Sequence, residues 1–413
     1  MKTLHFHIGS HKTATTALQN ALAANADLLA TRGLLYPQAG RYFTGHHPLA
    51  LALREPQRRG QSLETLEDWP ALLDEIAASP AEQVLLSSEN FEWLQDLSRL
   101  QGLTRHFKVR VIFYMRSPPG YLESFYNQLV KDLKTRESRP LESYICEHGL
   151  FFLDNERLLR RWSDAFGPQA LQVRLYQRHC SPKTLLRQFL ETLGGRNLPE
   201  LIGPELIGSE LIGPELAAPG SDRPGSDRPG SDRPGSDRPG SDRPGSDRPG
   251  LVLPQAPALQ KISLPPDALE YLRLRNLHRA PAKGQHRITM TLAQIAQDHP
   301  EALHRTRAGL LSRAAQQNLI RRFAAGNLRV AKRYLGASRA PFDPDQVQGH
   351  TNFDQRLPQG DNAMISKVEA LLSRFASTPL PPMHPADPAQ PSRAHPDASP
   401  PERPAPFAPQ QVR

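Results

Sequence analysis

Two periods of hydrophobic and polar positions alternate along the first half of the chain: short runs of period two and longer stretches of helical period. Leu4, Phe6 and Ile8 alternate with polar neighbours and predict a strand. Over 15–32, Leu18, Ala21, Leu22, Leu28 and Leu29 recur at helical spacing, and Gly33 supplies a stop. A short strand is predicted at 34–37 and a second helix over 65–78. Val84-Leu85-Leu86-Ser87-Ser88-Glu89 is a continuous apolar strand ending in polar groups, the pattern of a parallel-sheet carboxyl edge. Residues 109–116 (Val-Arg-Val-Ile-Phe-Tyr-Met-Arg) read as a buried strand ending in a cation, and a helical pattern follows over 121–130. A helix over 152–166, a strand over 170–176 and a helix from Thr184 to about Gly194-Gly195 continue the alternation. Strands alternating with helices predict an α/β fold, with a mostly parallel central sheet flanked by helices and ligands at its carboxyl ends.

The pattern stops at 199–250. Three Glu-Leu-Ile-Gly-(Pro/Ser) units are followed by six Pro-Gly-Ser-Asp-Arg units from Pro219 to Arg248. A five-residue period with proline and glycine in each unit blocks helix and sheet and carries too little apolar surface for a core. Collagen needs a period of three. The stretch is therefore expected to be a disordered insertion at a surface site. Helical spacing returns at 263–280 (Leu269, Leu272, Leu274, Leu277) and at 309–335. The expected organisation is an α/β core at 1–198, the insertion at 199–250, helical completion of the same domain at 251–336, and a proline-rich, mostly disordered tail at 337–413.

Composition agrees with that division. Of 413 residues only 38% are hydrophobic and 41 are prolines, a low apolar share that the repeats and the tail account for. The net charge of +9 suits anionic ligands, but no nucleic-acid-binding motif accompanies it. Cys146 and Cys180 are too few and too unpatterned for a disulfide scaffold or a metal site. The chain opens directly on a strand, without a signal segment, and no apolar run reaches the roughly eighteen residues of a membrane span. A cytoplasmic protein is expected.

The candidate chemistry begins where the first strand ends. Gly9, Ser10, His11, Lys12, Thr13, Ala14, Thr15 and Thr16 form a glycine turn with one lysine and three threonines, and a helix follows at once. Strand, loop and helix start in that order build a cradle for phosphate, because loop amides and the helix dipole both favour an anion. Lys12 adds a charge and the threonines add neutral donors. The spacing is not G-x-x-x-x-G-K-[ST], which needs a glycine directly before the lysine. Farther on, Arg116 closes a strand and Ser124 lies eight residues later on the next helix. An arginine fork suits a phosphate. Taken singly, the loop could be a capped helix start, Arg116 a solvated strand-end cation and Ser124 a helix-surface serine.

His7-Ile8-Gly9 with Lys12-Thr13-Ala14-Thr15-Thr16-Ala17-Leu18-Gln19 resembles the H-I-G-x-x-K-T-x-T-T-x-L-Q form of bacterial carbohydrate-type sulfotransferases, which use 3′-phosphoadenosine 5′-phosphosulfate (PAPS). Arg116 and Ser124 are similar in spacing to that family's 3′-phosphate pair, and 319–335 resembles its closing helix, F-x-x-x-N-x-x-[VIL]-A-x-x-Y. Ala14 stands where the family usually has glycine, and an alanine is expected to sit there in a right-handed first turn. The resemblance implies a P-loop-like sulfotransferase fold, an anionic nucleotide donor, a hydroxylated acceptor (glycan or small molecule), no metal, and Lys12 on the leaving oxygen.

Sulfuryl transfer to a hydroxyl or amine also needs a base. Glu89, at the end of a central strand, is the first candidate, with an ion pair or a helix cap as its alternative role. His47 and its neighbour His46, in a loop beside glycine and proline, are the next. Two other functions stay open at this point: a small-molecule kinase with an atypical loop, and a non-catalytic nucleotide-binding interaction protein.

Overall fold

A computed structural model describes residues 1–11, 13–54, 61–176, 182–194, 263–277, 282–303, 310–347 and 362–375. One parallel sheet carries β1 (Thr3–His7), β2 (Leu34–Leu35), β3 (Gln83–Ser87), β4 (Lys108–Met115) and β5 (Leu171–Leu175). Their order is β2-β3-β1-β4-β5, and His7 of β1 stands opposite Ser87 of β3 and Ile112 of β4. From β1 the chain first lays β2 at the sheet edge, returns to β3 between β2 and β1, then crosses to β4 and β5 on the other side. The winding therefore reverses between β1 and β4, the position at whose carboxyl ends open α/β sheets generally take a ligand.

Helices α1 (Thr15–Ala24), α2 (Ala26–Thr31), α3 (His47–Arg54) and α4 (Trp69–Ala78) connect the first three strands, and α5 (Ser98–Gln101) precedes β4. Next come α6 (Pro118–Lys131), α7 (Leu141–His148) and α8 (Asn155–Phe166), then α9 (Pro182–Leu193) after β5. The later helices are α10 (Pro266–Leu277), α11 (Ala282–Asp298), α12 (Pro300–Leu303), α13 (Arg313–Val330) with a π turn at Ala331–Leu335, and α14 (Asn362–Phe375).

Because successive strand side chains point to opposite faces, period two sorts the sheet residues onto two cores. Leu4, Phe6, Val84, Leu86, Val111 and Phe113 join Trp69 of α4 and Trp162 of α8 on one face. Leu85, Ile112 and Tyr114 face Leu18 and Leu22 of α1 and Phe189 of α9 on the other. A third core, centred on Tyr121, Leu122 and Phe125 of α6, takes up α10, α11 and α14. The chain beyond the repeats is fastened there by a reciprocal pair: Asn127 Nδ2 donates to the Leu264 carbonyl (2.8 Å) and Leu264 N–H donates to Asn127 Oδ1 (3.1 Å). Both bonds are buried, so losing Asn127 would strand two backbone groups away from water.

Several boundaries differ from the sequence expectation for local reasons. The helix expected over 15–32 breaks at Asn25, whose side chain takes the Ala21 carbonyl (2.6 Å). The helix expected from 65 starts at Trp69, after Asp68 at φ +69° and with Pro70 in the first turn. His47 opens α3 instead of lying in a loop. The stretch from 337 was expected to be a tail, yet α14 buries Met364, Val368 and Leu372 against the third core. The insertion at 199–250 and residues beyond 375 lie outside the described residues, as does Cys180. Among the described residues no helix is long and apolar enough to cross a membrane.

Candidate functional site

Three neighbouring strands deliver the site, since Glu89 follows β3, the glycine turn follows β1 and Arg116 follows β4. The turn is stitched to β4 by two backbone hydrogen bonds: Tyr114 N–H donates to the Gly9 carbonyl (2.8 Å) and Ser10 N–H donates to the Tyr114 carbonyl (3.4 Å). Arg116 lies only two residues beyond that seam.

Gly9 adopts φ +99°, and a Cβ there would meet Glu89 Cβ at 3.2 Å and Glu89 Cα at 3.3 Å. Conformation and close approach both require glycine. Within the turn, Thr13 Oγ1 donates to the Ser10 carbonyl at 2.6 Å and Thr15 Oγ1 reaches the same oxygen at 3.4 Å. Both threonines are buried, so their hydroxyl protons brace the turn itself. Ala14 sits at φ 57°, ψ 24°, immediately before α1. This corrects the expectation of a right-handed turn: the backbone holds the left-handed conformation that favours glycine, and an alanine occupies it. Lys12 lies outside the described residues; Thr16 is half-buried in the first turn of α1.

Beneath the turn lies a carboxylate that the sequence reading did not single out. Glu92 is 3% exposed, accepts the His11 N–H on Oε2 (3.0 Å) and the Tyr121 hydroxyl on Oε1. Trp93 Nε1–H donates to His11 Nε2 (3.2 Å), and His11 Nδ1 lies 3.1 Å from Glu92 Oε1. Glu92 thus accepts the backbone N–H of His11 and lies beside its ring. Burial, with Glu92 adding to it, pushes the Tyr121 phenol well above its usual range, which keeps it a hydrogen-bond donor. The same hydroxyl lies within reach of Ser10 and of the Arg116 charge, so the turn and the β4 end share one neighbourhood.

Ser117 precedes α6, and Pro118 and Pro119 open it, since neither needs an amide proton there. The half-buried Arg116 guanidinium lies over the Tyr176 ring, 5.5 Å from its centroid. Ser124 is buried one turn beyond Tyr121 on α6, and the i, i+3 spacing puts the two on one helix face.

Glu89 and His47 come together. His47 Nδ1 is 3.9 Å from Glu89 Oε2 and 2.9 Å from Ser88 Oγ, and Gln19 Nε2 donates to the same Glu89 oxygen at 3.2 Å. The two base candidates thus lie side by side, within ion-pair distance of each other. His46 belongs to the framework instead. It is fully buried, accepts the Ser87 N–H on Nδ1 (3.1 Å) and reaches the Pro37 carbonyl through Nε2 (3.0 Å), with burial holding its pKa down to about 3. Both nitrogens are engaged, so the ring is fixed and neutral. His7 is buried behind the pair with Nδ1 2.8 Å from Ser87 Oγ; burial lowers its pKa to about 4 against the opposing pull of Glu89.

Glu92, Gln19 and Tyr121 are thus the additional residues of the site. Gln19 already belonged to the phosphate-loop motif, and Tyr121 opened the helical pattern read over 121–130. Glu92 had no local signal, because its partners lie in two other segments of the chain.

No protein-family model and no curated protein matches the chain. Among solved structures it is similar to a sulfotransferase from Alicyclobacillus acidocaldarius, at 17% identity over 47% of this chain and 81% of that one, with a TM-score of 0.35. A likeness of that size carries no weight for the site, whose reading rests on the chain's own residues.

Proposed function

We propose that this chain transfers a sulfuryl group from PAPS to a hydroxyl or amine of a glycan or other small acceptor. The observation that supports the reading most is the juxtaposition of the Gly9–Thr16 turn and Arg116. They leave adjacent strands at the winding reversal and are joined through Ser10 and Tyr114. A ligand with an anionic group at each end fits such a position, and a doubly phosphorylated adenosine is one.

PAPS, when bound, supplies a sulfuryl group already activated on its 5′-phosphate. The chain's residues do the rest. The turn and the start of α1 direct amides toward the 5′-phosphate, and Lys12 holds the charge that grows on its bridging oxygen. Arg116 and Ser124 grip the 3′-phosphate by a charged fork and a hydroxyl. The Glu89–His47 pair takes the proton of the acceptor hydroxyl, with Gln19 orienting the carboxylate. Positioning and charge neutralisation then supply most of the acceleration.

Transfer from labelled PAPS to a panel of hydroxylated acceptors tests the reading, with Lys12→Ala as control. The variant is expected to lose turnover by about 10²–10³-fold, the scale of removing one stabiliser of developing charge. Wild-type turnover in the variant contradicts the role given to Lys12.

A further inference from the structure

We propose that the turn at Tyr42 and Phe43 is the acceptor clamp of this site and takes a hydroxyl acceptor built on a ring. The proposal rests on the sulfotransferase reading, whose acceptor it describes.

Tyr42 is 62% and Phe43 84% exposed, which sets them apart from the aromatic residues buried in the three cores. Their rings meet edge to face, 4.5 Å between centroids at 69°, and form an open angled notch. Phe43 holds φ 56°, a left-handed conformation that is unusual for a bulky side chain. A turn that needed only this backbone would be served by glycine or asparagine. Here the chain carries strain and exposed apolar surface at one residue, and such combinations cluster at ligand-binding positions.

The notch is held rigidly and in a particular place. Tyr42 N–H donates to the Gly45 carbonyl (2.9 Å), closing the turn. The buried Tyr36 hydroxyl donates to the Thr44 carbonyl (2.6 Å), and Thr44 Oγ1 donates to Asn20 Oδ1 on α1 (2.8 Å). His46 N–H donates to the Ser87 carbonyl at the end of β3 (2.8 Å). At Gly45 a Cβ would lie 2.7 Å from His47 Nε2 and 3.0 Å from Gln19 Cδ. The turn therefore packs directly against His47 and Gln19, the neighbours of Glu89, and carries two exposed rings three and two residues before Gly45.

A ring with one C–H face and a hydroxyl rim matches this arrangement. Its face stacks on one aromatic ring and its edge meets the other, while a hydroxyl reaches inward to His47 and Glu89. An open-chain polyol offers the same hydroxyls but no face.

The test measures kcat and KM of the full-length protein with labelled PAPS against a panel of pyranosides and against sorbitol as the open-chain control. The wild type is expected to prefer its best pyranoside, and Tyr42→Ala and Phe43→Gly to lower kcat/KM for it by about tenfold, mainly through KM. Phe43→Gly also removes the left-handed strain, so its Tm is expected to rise while acceptor use falls, a combination that misfolding cannot produce. Affinity for 3′-phosphoadenosine 5′-phosphate stays within about twofold of wild type in both variants. Unchanged pyranoside kinetics in both variants, or transfer to sorbitol and to no ring acceptor, overturns the clamp and leaves the donor site standing. A wild type that binds neither PAPS nor its desulfated product overturns the sulfotransferase reading, and the clamp with it.

Discussion

Glu89 Oε2 stands 3.9 Å from His47 Nδ1, and Gln19 Nε2 donates to the same oxygen at 3.2 Å. Two residues that the sequence offered as rival bases are thus neighbours, and under the proposed reaction they act as one device. Glu89→Gln and His47→Ala are each expected to lower kcat by about 10²–10⁴-fold, the usual share of a general base. The double variant should fall little further than the worse single one, because members of a unit are not additive. Multiplicative losses in a steady-state comparison would mean that the two act separately.

Ala14 occupies a left-handed backbone at the entrance of α1, with no side-chain cap on that helix. Ala14→Gly is expected to stabilise the fold by about 1 kcal/mol, since a Cβ in that region costs about 1–2 kcal/mol and glycine's extra unfolded-state freedom offsets part of the gain. Urea unfolding of the two proteins checks it, and a lower midpoint for the glycine variant contradicts the assigned backbone.

Glu92→Ala removes the acceptor of the His11 N–H and of the Tyr121 hydroxyl in one step. Each orphaned buried group costs about 1–3 kcal/mol, so a loss of about 2–4 kcal/mol is expected, together with weaker nucleotide binding. Denaturation and titration calorimetry on the same variant separate the two effects. A near-neutral result on both would show that Glu92 does not hold the turn.

Burial keeps three histidine rings neutral: His46 with a pKa near about 3, and His5 and His7 each at about 4, against the usual 6.5. Below 6.5 the unfolded chain takes up protons that these rings refuse, so stability falls as pH drops. Their contribution is complete above the unfolded value and is lost on the way down toward about 4 and 3, by up to about 1.4 kcal/mol per pH unit for each ring. Unfolding free energies measured between about pH 5 and 7 should rise with pH, whereas a flat profile would mean that the rings protonate in the folded state.

The strands were legible because period two and β-branched runs are local signals, and all five fall within a residue or two of where the pattern put them. Their order was not legible, since pairing β4 beside β1 depends on contacts far apart in sequence. The same division holds at the site. Gly9 and Arg116 could be read from strand ends, while the role of Glu92 required three segments to meet. His46 looked like His47 in the sequence and differs only through the Ser87 and Pro37 groups that fix its two nitrogens. Helix α14 went unseen within a proline-rich stretch, because its three inward residues acquire meaning only against the core they cover.

Calorimetric titration of the wild type and Arg116→Ala with 3′-phosphoadenosine 5′-phosphate, ADP and ATP tests the central claim most directly. The wild type should prefer the 3′-phosphorylated nucleotide by about tenfold or more, and the variant should lose that preference while keeping its affinity for ADP. Equal or better binding of ATP by the wild type, or a preference that survives without Arg116, would contradict a site that holds one nucleotide by a phosphate at each end.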